Sequence, residues 1–217
     1  MSSNIMKATR IFLLRHPHIK NAGKIPYKDT PISEHGFKQI EILKSAFDTI
    51  KIDFIYSSDL IRCIKFAEIL SEVTKTKIIF KKELREVDQG IFCGYSFEEI
   101  QKNWPNELKS RIQDFINFCP PKGESIAQAC VRINSFLKEI KTLPIGSKLI
   151  IITHGAVIRI MIALMLNIPL SNIFSIEQNY CALNIIDLFS DNTWVIKLLN
   201  YSTNNSTCIN NLIKSLK

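Results

Sequence analysis

The chain has 217 residues, 46% hydrophobic and 22% charged, enough for one domain with a full core and a modest insertion. Its formal net charge of +8 suits an anionic partner, without choosing among nucleic acid, a phosphorylated metabolite and an acidic protein. No dense Lys/Arg block with interleaved aromatics occurs, so a nucleic-acid partner is not expected. Six cysteines, at 63, 93, 119, 130, 181 and 208, form no Cys-x-x-Cys pair and read as reduced thiols of a cytoplasmic protein. The apolar runs 11–14 and 160–166 are too short for a signal-peptide core or a membrane span, so no membrane partner is expected.

In chain order, RIFLL (10–14) predicts a buried strand. Ser33 is placed to cap a helix whose apolar positions are Phe37, Ile40, Leu43, Phe47 and Ile50. DFIYS (53–57) predicts a second strand, and Asp59 the cap of a helix carrying Ile61, Ile64, Ala67 and Leu70. KIIF (77–80) predicts a third, and residues 84–95, punctuated by Gly90 and Gly94, read as irregular. A helical stretch from Phe97 to Phe118, interrupted at Pro105, lies within an insertion (96–119) expected to form a flap over a pocket. Its Phe97, Trp104, Phe115 and Phe118 either wall that pocket or simply pack, and for at least two of them packing is expected. Ser125 caps the helix with the clearest period: Ile126, Ala129, Cys130, Ile133, Phe136, Leu137 and Ile140. KLIIIT (148–153) reads as a central parallel strand, followed by a helix from about Ala156 to Asn167. The runs 180–189 and 194–199 suggest a closing hairpin. The expected fold is α/β: a three-layer α/β/α sandwich, mostly parallel with an antiparallel edge. One domain is expected over 1–199, then a polar, flexible tail over 200–217 with room for a short helix at 212–216.

Ligands of open α/β sheets bind outside the carboxyl ends of the strands. Arg15 and His16 follow the first strand there, Ser57, Ser58, Asp59 and Arg62 the second, Glu86 the third, and His154 with Gly155 the KLIIIT strand. Arginine forks match the oxygens of a phosphate dianion, and helix N-termini near Arg62 and Gly155 add positive dipole ends. A neutral imidazole at His16 is a competent nucleophile if a backbone carbonyl holds its other nitrogen protonated, and the nearby cations keep it neutral. Glu86 is the candidate general acid, with Glu83, Asp88 and Glu98 as competing neighbours. No Asp/Glu/His metal cluster stands out, so neither metal nor cofactor is called for. His18 and His35 read as solvent-facing or capping residues.

These residues resemble the blocks of the histidine phosphatase superfamily, the phosphoglycerate mutase-like proteins. LLRH (13–16) resembles its Arg-His signature, SSDLIRC (57–63) its second-arginine motif, and LREVDQGIFCG (84–94) the block with the acid/base glutamate. PPKGES (120–125) and ITHGAVIR (152–159) resemble its last two blocks. The resemblance runs to about residue 189. His16-Pro17 and YKDTPIS (27–33) look most like the branch containing α-ribazole phosphatases. It implies metal-independent hydrolysis of a small phosphorylated substrate through a phosphohistidine on His16, with Glu86 as acid/base. Arg15, Arg62, His154 and Gly155 would bind the phosphoryl group. The sequence departs from the family at Pro17-His18-Ile19, which removes one backbone N–H. It departs again at Lys28, and at Asn21, one position early and only a weak substrate contact. A mutase-type phosphoryl transfer, a non-catalytic binding module and a homodimer are the other readings left open.

Overall fold

The computed structural model describes residues 7–202 and 211. Six strands form one sheet: β1 (Ala8–Arg15), β2 (Phe54–Ser57), β3 (Ile78–Phe80), β4 (Lys148–Thr153), β5 (Leu183–Phe189) and β6 (Trp194–Tyr201), in the order β3-β2-β4-β1-β5-β6. The pairs β3–β2, β2–β4 and β4–β1 are parallel, whereas β5 is antiparallel to both of its neighbours. The antiparallel edge is therefore a two-strand hairpin, as the two C-terminal runs suggested. Strand β6 reaches Tyr201, so the ordered domain passes the expected limit of 199. The rest of the expected tail, including the helix at 212–216, lies outside the described residues apart from Ser202 and Asn211.

Alternation along the strands makes the sandwich. Ile11 and Leu13 of β1, with Leu149 and Ile151 of β4, face one core together with α5 (Ile126–Ile140) and α6 (Gly155–Leu166). Phe12, Leu14, Ile150 and Ile152 face the other, against α1 (Glu34–Lys44) and α2 (Ile61–Thr74). Central strands buried on both faces explain why KLIIIT reads as an unbroken apolar run.

Three local expectations are corrected. Helix α1 ends at Lys44 and Phe37 is exposed. Its inward face is Gly36, Ile40 and Leu43, because a Cβ at Gly36 would lie 2.2 Å from the His18 carbonyl oxygen. Phe47 and Ile50 are buried, but in the turns that follow. Asp59 caps nothing: the N-cap of α2 is Leu60, and both Asp59 oxygens accept from Arg85, at 2.6 Å each. The insertion folds as α3 (Phe97–Asn103) and α4 (Pro105–Gln113), stopping short of Phe118. Trp104 packs edge-on against Phe92 and Tyr95, and Phe118 stacks on Phe92, so these two aromatics pack, as expected for at least two.

Ser125 forms a full capping box on α5, its hydroxyl accepting from the Gln128 N–H while the Gln128 side chain accepts from the Ser125 N–H. Ser125→Ala is expected to lower stability by about 1 kcal/mol, read as a shifted urea midpoint with an unchanged slope.

Candidate active site

The carboxyl ends of β1 and β4 lie side by side, Arg15 in register with Thr153, and the ladder continues as the His16 N–H donates to the Thr153 carbonyl at 2.9 Å. This brings His16 and His154 to a ring separation of 5.1 Å. β2 ends beside β4, which places Ser58 at 2.9 Å from His154 Nε2 and Arg62 in the first turn of α2. Four of the expected residues thus converge although the chain scatters them.

Each side chain is held in one role. His16 Nδ1 lies 2.9 Å from the Pro17 carbonyl, which only accepts, so this nitrogen carries the ring proton and Nε2 keeps its lone pair. Pro17 removes one N–H and supplies the carbonyl that fixes the tautomer. His154 Nδ1 is buried without a partner. The His154 Nε2 lies 2.9 Å from the Ser58 hydroxyl, which can donate or accept; when it donates, the ring proton is on Nδ1. Burial above all, then Arg62 and the other neighbouring charges, drives both imidazole pKa values well below the ordinary histidine value. The sequence reading credited the cations alone; desolvation is the larger cause.

Arg62 is 1% exposed; its Nη1 donates to the Tyr27 carbonyl at 3.1 Å, and among the described residues it makes no ion pair and its Nε has no partner. The Arg15 Nη1 donates to the Gln178 carbonyl, its guanidinium lies 3.9 Å from the Tyr180 ring centre, and its Nε is also unpartnered. A Cβ at Gly155 would come within 3.3 Å of Arg15 Nε, so glycine there lets the guanidinium approach the start of α6. Three buried, unpartnered nitrogens on Arg15, Arg62 and His154, with two guanidinium charges and no carboxylate in ion-pair reach among the described residues, form a site for an anion. Among the described residues no group of three or more His, Cys, Asp or Glu is set to hold a metal ion.

A cleft of about 560 Å³ opens from this point, with Arg15, Arg62, Glu86 and Gly155 in its lining. The His16 and His154 rings are buried and are not part of the lining, although their chain neighbours Arg15 and Gly155 are. Of the competing acids, Glu83 and Glu98 do not line the cleft. Asp88 does; burial pushes its carboxyl up, but the Gly90 N–H and Lys28 pull it down further, the wrong direction for a proton donor. Glu86 is half-buried and accepts from the Val87 N–H at 3.0 Å. Three anchors hold its loop: Thr153 Oγ1 donates to the Leu84 carbonyl, Arg132 to the Glu83 carbonyl, and Arg85 to Asp59. The structure does not bring Asn21 to the cleft: it is exposed, in a left-handed turn at φ 56°.

Sequence reasoning missed Tyr180, which contacts Arg15, His16 (5.5 Å) and His18 (5.1 Å). No motif marks it; its role comes from the loop leading into β5, which crosses the ends of β1 and β4. His18 hydrogen-bonds the hydroxyl of Ser33 at 2.8 Å, and it is Ser33, not His18, that caps α1.

Tyr180→Ala should weaken inorganic phosphate binding about tenfold in calorimetry, the loss of a stacked cation worth about 1–2 kcal/mol. Tyr180→Phe, which keeps the ring face, should retain most of the affinity; equal affinity in both variants and wild type would remove Tyr180 from the site.

The family model of the histidine phosphatase superfamily (branch 1) matches residues 11–202. The chain is 25% identical over 170 residues to phosphoserine phosphatase 1 of Hydrogenobacter thermophilus, covering 78% of this chain and 81% of that protein. It is 26% identical over 192 residues to a Shigella boydii protein named "Probable phosphoglycerate mutase GpmB", covering 86% and 87%. The crystal structure of the alpha-ribazole phosphatase from Shigella flexneri superposes with a TM-score of 0.81 over 91% of this chain and 98% of that one. At 19% identity that likeness speaks for the fold. With the family match spanning nearly all described residues, the chain belongs to the histidine phosphatase superfamily, branch 1.

Proposed function

We propose that this enzyme hydrolyses small phosphomonoesters through a phosphohistidine on His16, without a metal or other cofactor. The observation that carries the reading is the His16 Nδ1–Pro17 carbonyl contact, which leaves Nε2 as a lone-pair nitrogen beside three unpartnered buried nitrogens.

In the first step Nε2 attacks phosphorus, the P–N bond forms and the ester P–O bond breaks. Arg15, Arg62 and His154 Nδ1 hold the equatorial oxygens, and Glu86 gives its proton to the departing alkoxide. In the second step a water attacks in line and Glu86 takes its proton. The P–N bond breaks, and inorganic phosphate leaves with His16 neutral again. Donors already fixed before substrate arrives need no reorganisation as charge develops.

The substrate is a small phosphorylated metabolite. Alpha-ribazole 5'-phosphate is one candidate, supported by fold likeness, and phosphoserine another, supported by the name of a relative. Transfer to a second hydroxyl in place of water uses the same first step, and the mutase name of another relative keeps that as a second reading. In this reading residues 96–119 form the flap that selects the leaving group, with Arg111 of α4 in the cleft lining. The five described cysteines are free thiols, which fits a cytoplasmic setting. Among the described residues no helix is long and apolar enough to cross a membrane.

In EDTA, the wild type should release phosphate from p-nitrophenyl phosphate and trap an acid-labile phosphoprotein on quenching, and His16→Ala should do neither. A fully active His16→Ala would end the proposal. Glu86→Gln should lower kcat on an alkyl phosphate about 10²–10⁴-fold. It should cost less on p-nitrophenyl phosphate, whose leaving group needs little protonation. Because the His16 pKa lies below the ordinary histidine value of 6.5, the nucleophile stays neutral as pH falls through 6.5, and kcat/KM should hold there. A loss of activity centred at 6.5 would show an unshifted imidazole.

A further inference from the structure

One peptide plane joins His16 to helix α1. The Pro17 carbonyl accepts from His16 Nδ1 at 2.9 Å, and the N–H of the same peptide, on His18, donates to Gln39 Oε1, also at 2.9 Å. In a trans peptide these two groups point opposite ways, so the plane meets His16 on one side and α1 on the other. Pro17 is buried and its ring fixes φ at about −65°, which leaves a coupled turn about the Pro17 ψ and the His18 φ as the plane's own freedom. Helix α1 also holds the next carbonyl along: the Ser33 N–H donates to the His18 oxygen at 3.0 Å.

Gln39 is itself held one way round. Its Oε1 takes the His18 N–H, and its Nε2 donates to the Tyr180 carbonyl at 3.4 Å, the weaker of the two contacts. Both partners are backbone groups with a single role, so turning the amide over would set donor against donor and acceptor against acceptor. Gln39 is half-buried and is not among the residues that line the cleft. It borders a separate hollow of about 250 Å³, together with His18 and Tyr180. Whatever it contributes to the chemistry therefore passes through the peptide. Hydrogen bonds in series polarise one another, so an amide whose N–H is donated presents a stronger carbonyl acceptor. The Gln39 oxygen thus strengthens the Pro17 carbonyl, which holds the ring proton on Nδ1 and makes Nε2 the more electron-rich nitrogen.

We infer that Gln39 is a positioning residue for the nucleophile, fixing the tautomer of His16 through the Pro17–His18 peptide. This rests on the phosphohistidine reading for what His16 does, but not for which of its nitrogens carries the proton. The relay runs from carboxamide to peptide to imidazole without an ionised group. A carboxylate against the ring would fix the same proton but would also favour the charged imidazolium, which cannot attack phosphorus. A neutral relay sets the proton and leaves the ring neutral. Its other arm reaches the carbonyl of Tyr180, the residue whose ring lies 3.9 Å from the Arg15 guanidinium, so one side chain of α1 braces the loops that carry the nucleophile and its clamp.

The tautomer is read directly on the full chain by ¹H–¹⁵N correlation of the imidazole nitrogens, with the His16 signals assigned by their loss in His16→Ala. The wild type should show the proton on Nδ1. Gln39→Met, which keeps the length of the side chain and removes both polar atoms, should move part of the population to the Nε2–H form. In rapid-quench experiments with p-nitrophenyl phosphate its rate of phosphoprotein formation should fall about tenfold, the scale of one lost hydrogen bond. Its affinity for inorganic phosphate, set by the arginines, should stay near that of the wild type. Gln39→Glu, which keeps an oxygen for the His18 N–H, should restore the Nδ1–H form and most of the rate at neutral pH. An unchanged tautomer in Gln39→Met overturns the inference whatever the rate does. A shifted tautomer with an unchanged rate overturns it too, as does a Gln39→Glu that matches Gln39→Met in both measurements. A tautomer governed by Gln39 in a wild type that forms no phosphoprotein keeps the positioning role and rejects the phosphatase; an active enzyme whose tautomer ignores Gln39 does the reverse.

Discussion

The site rests on positive charge buried without a counter-ion. Among the described residues Arg62 is one of the largest fully buried side chains, and neither it nor Arg15 forms an ion pair with a carboxylate there. Desolvating an ion costs several kcal/mol, and here no acidic partner repays it within the free protein. Backbone carbonyls of residues 27 and 178 and the face of Tyr180 hold the two forks in place without neutralising them. Nearby acids are occupied elsewhere: Asp59 faces Arg85 and Glu124 faces Arg132. The field in the hollow is therefore kept for a ligand, in the manner of a preorganised transition-state environment.

The same field and the same burial decide the state of the imidazoles. A charged His16 could not attack phosphorus, and a charged His154 would add a third cation to a crowded site. Both rings are fully buried beside Arg62, which is enough to keep them neutral. Neutrality alone does not choose a nitrogen, and on His16 that choice is made by the Pro17 carbonyl, which can only accept. Substrate charge, ring tautomer and strand order are thus parts of one arrangement.

Much of this was legible in the chain. Apolar runs of four to six residues alternating with helical periods identified the layers, and Arg15, His16, Arg62 and His154 could be placed because each directly follows a strand or opens a helix. Their convergence needed the sheet order, which the β1–β4 neighbourhood supplies. What stayed hidden depends on packing rather than pattern. Phe37 has the right spacing for a core face, yet the close approach of Gly36 to residue 18 rotates it outward. Asp59 has the right type and position for a cap, yet the Arg85 fork competes better for its oxygens. Tyr180 carries no local signature, because what marks it is its contact with Arg15 and His16 in three dimensions.

The sheet order also sets when this machinery can exist. Strand β4 lies between β1 and β2, so the first two strands have no shared edge until a segment from the last third of the chain slides between them. The chain through β3 carries Arg15, His16 and Arg62, but His154 comes with β4. Such distant pairings form slowly, after the loops that separate them have closed. His16, at the end of β1, and Arg62, after β2, are therefore joined through a strand that the chain supplies more than 70 residues later.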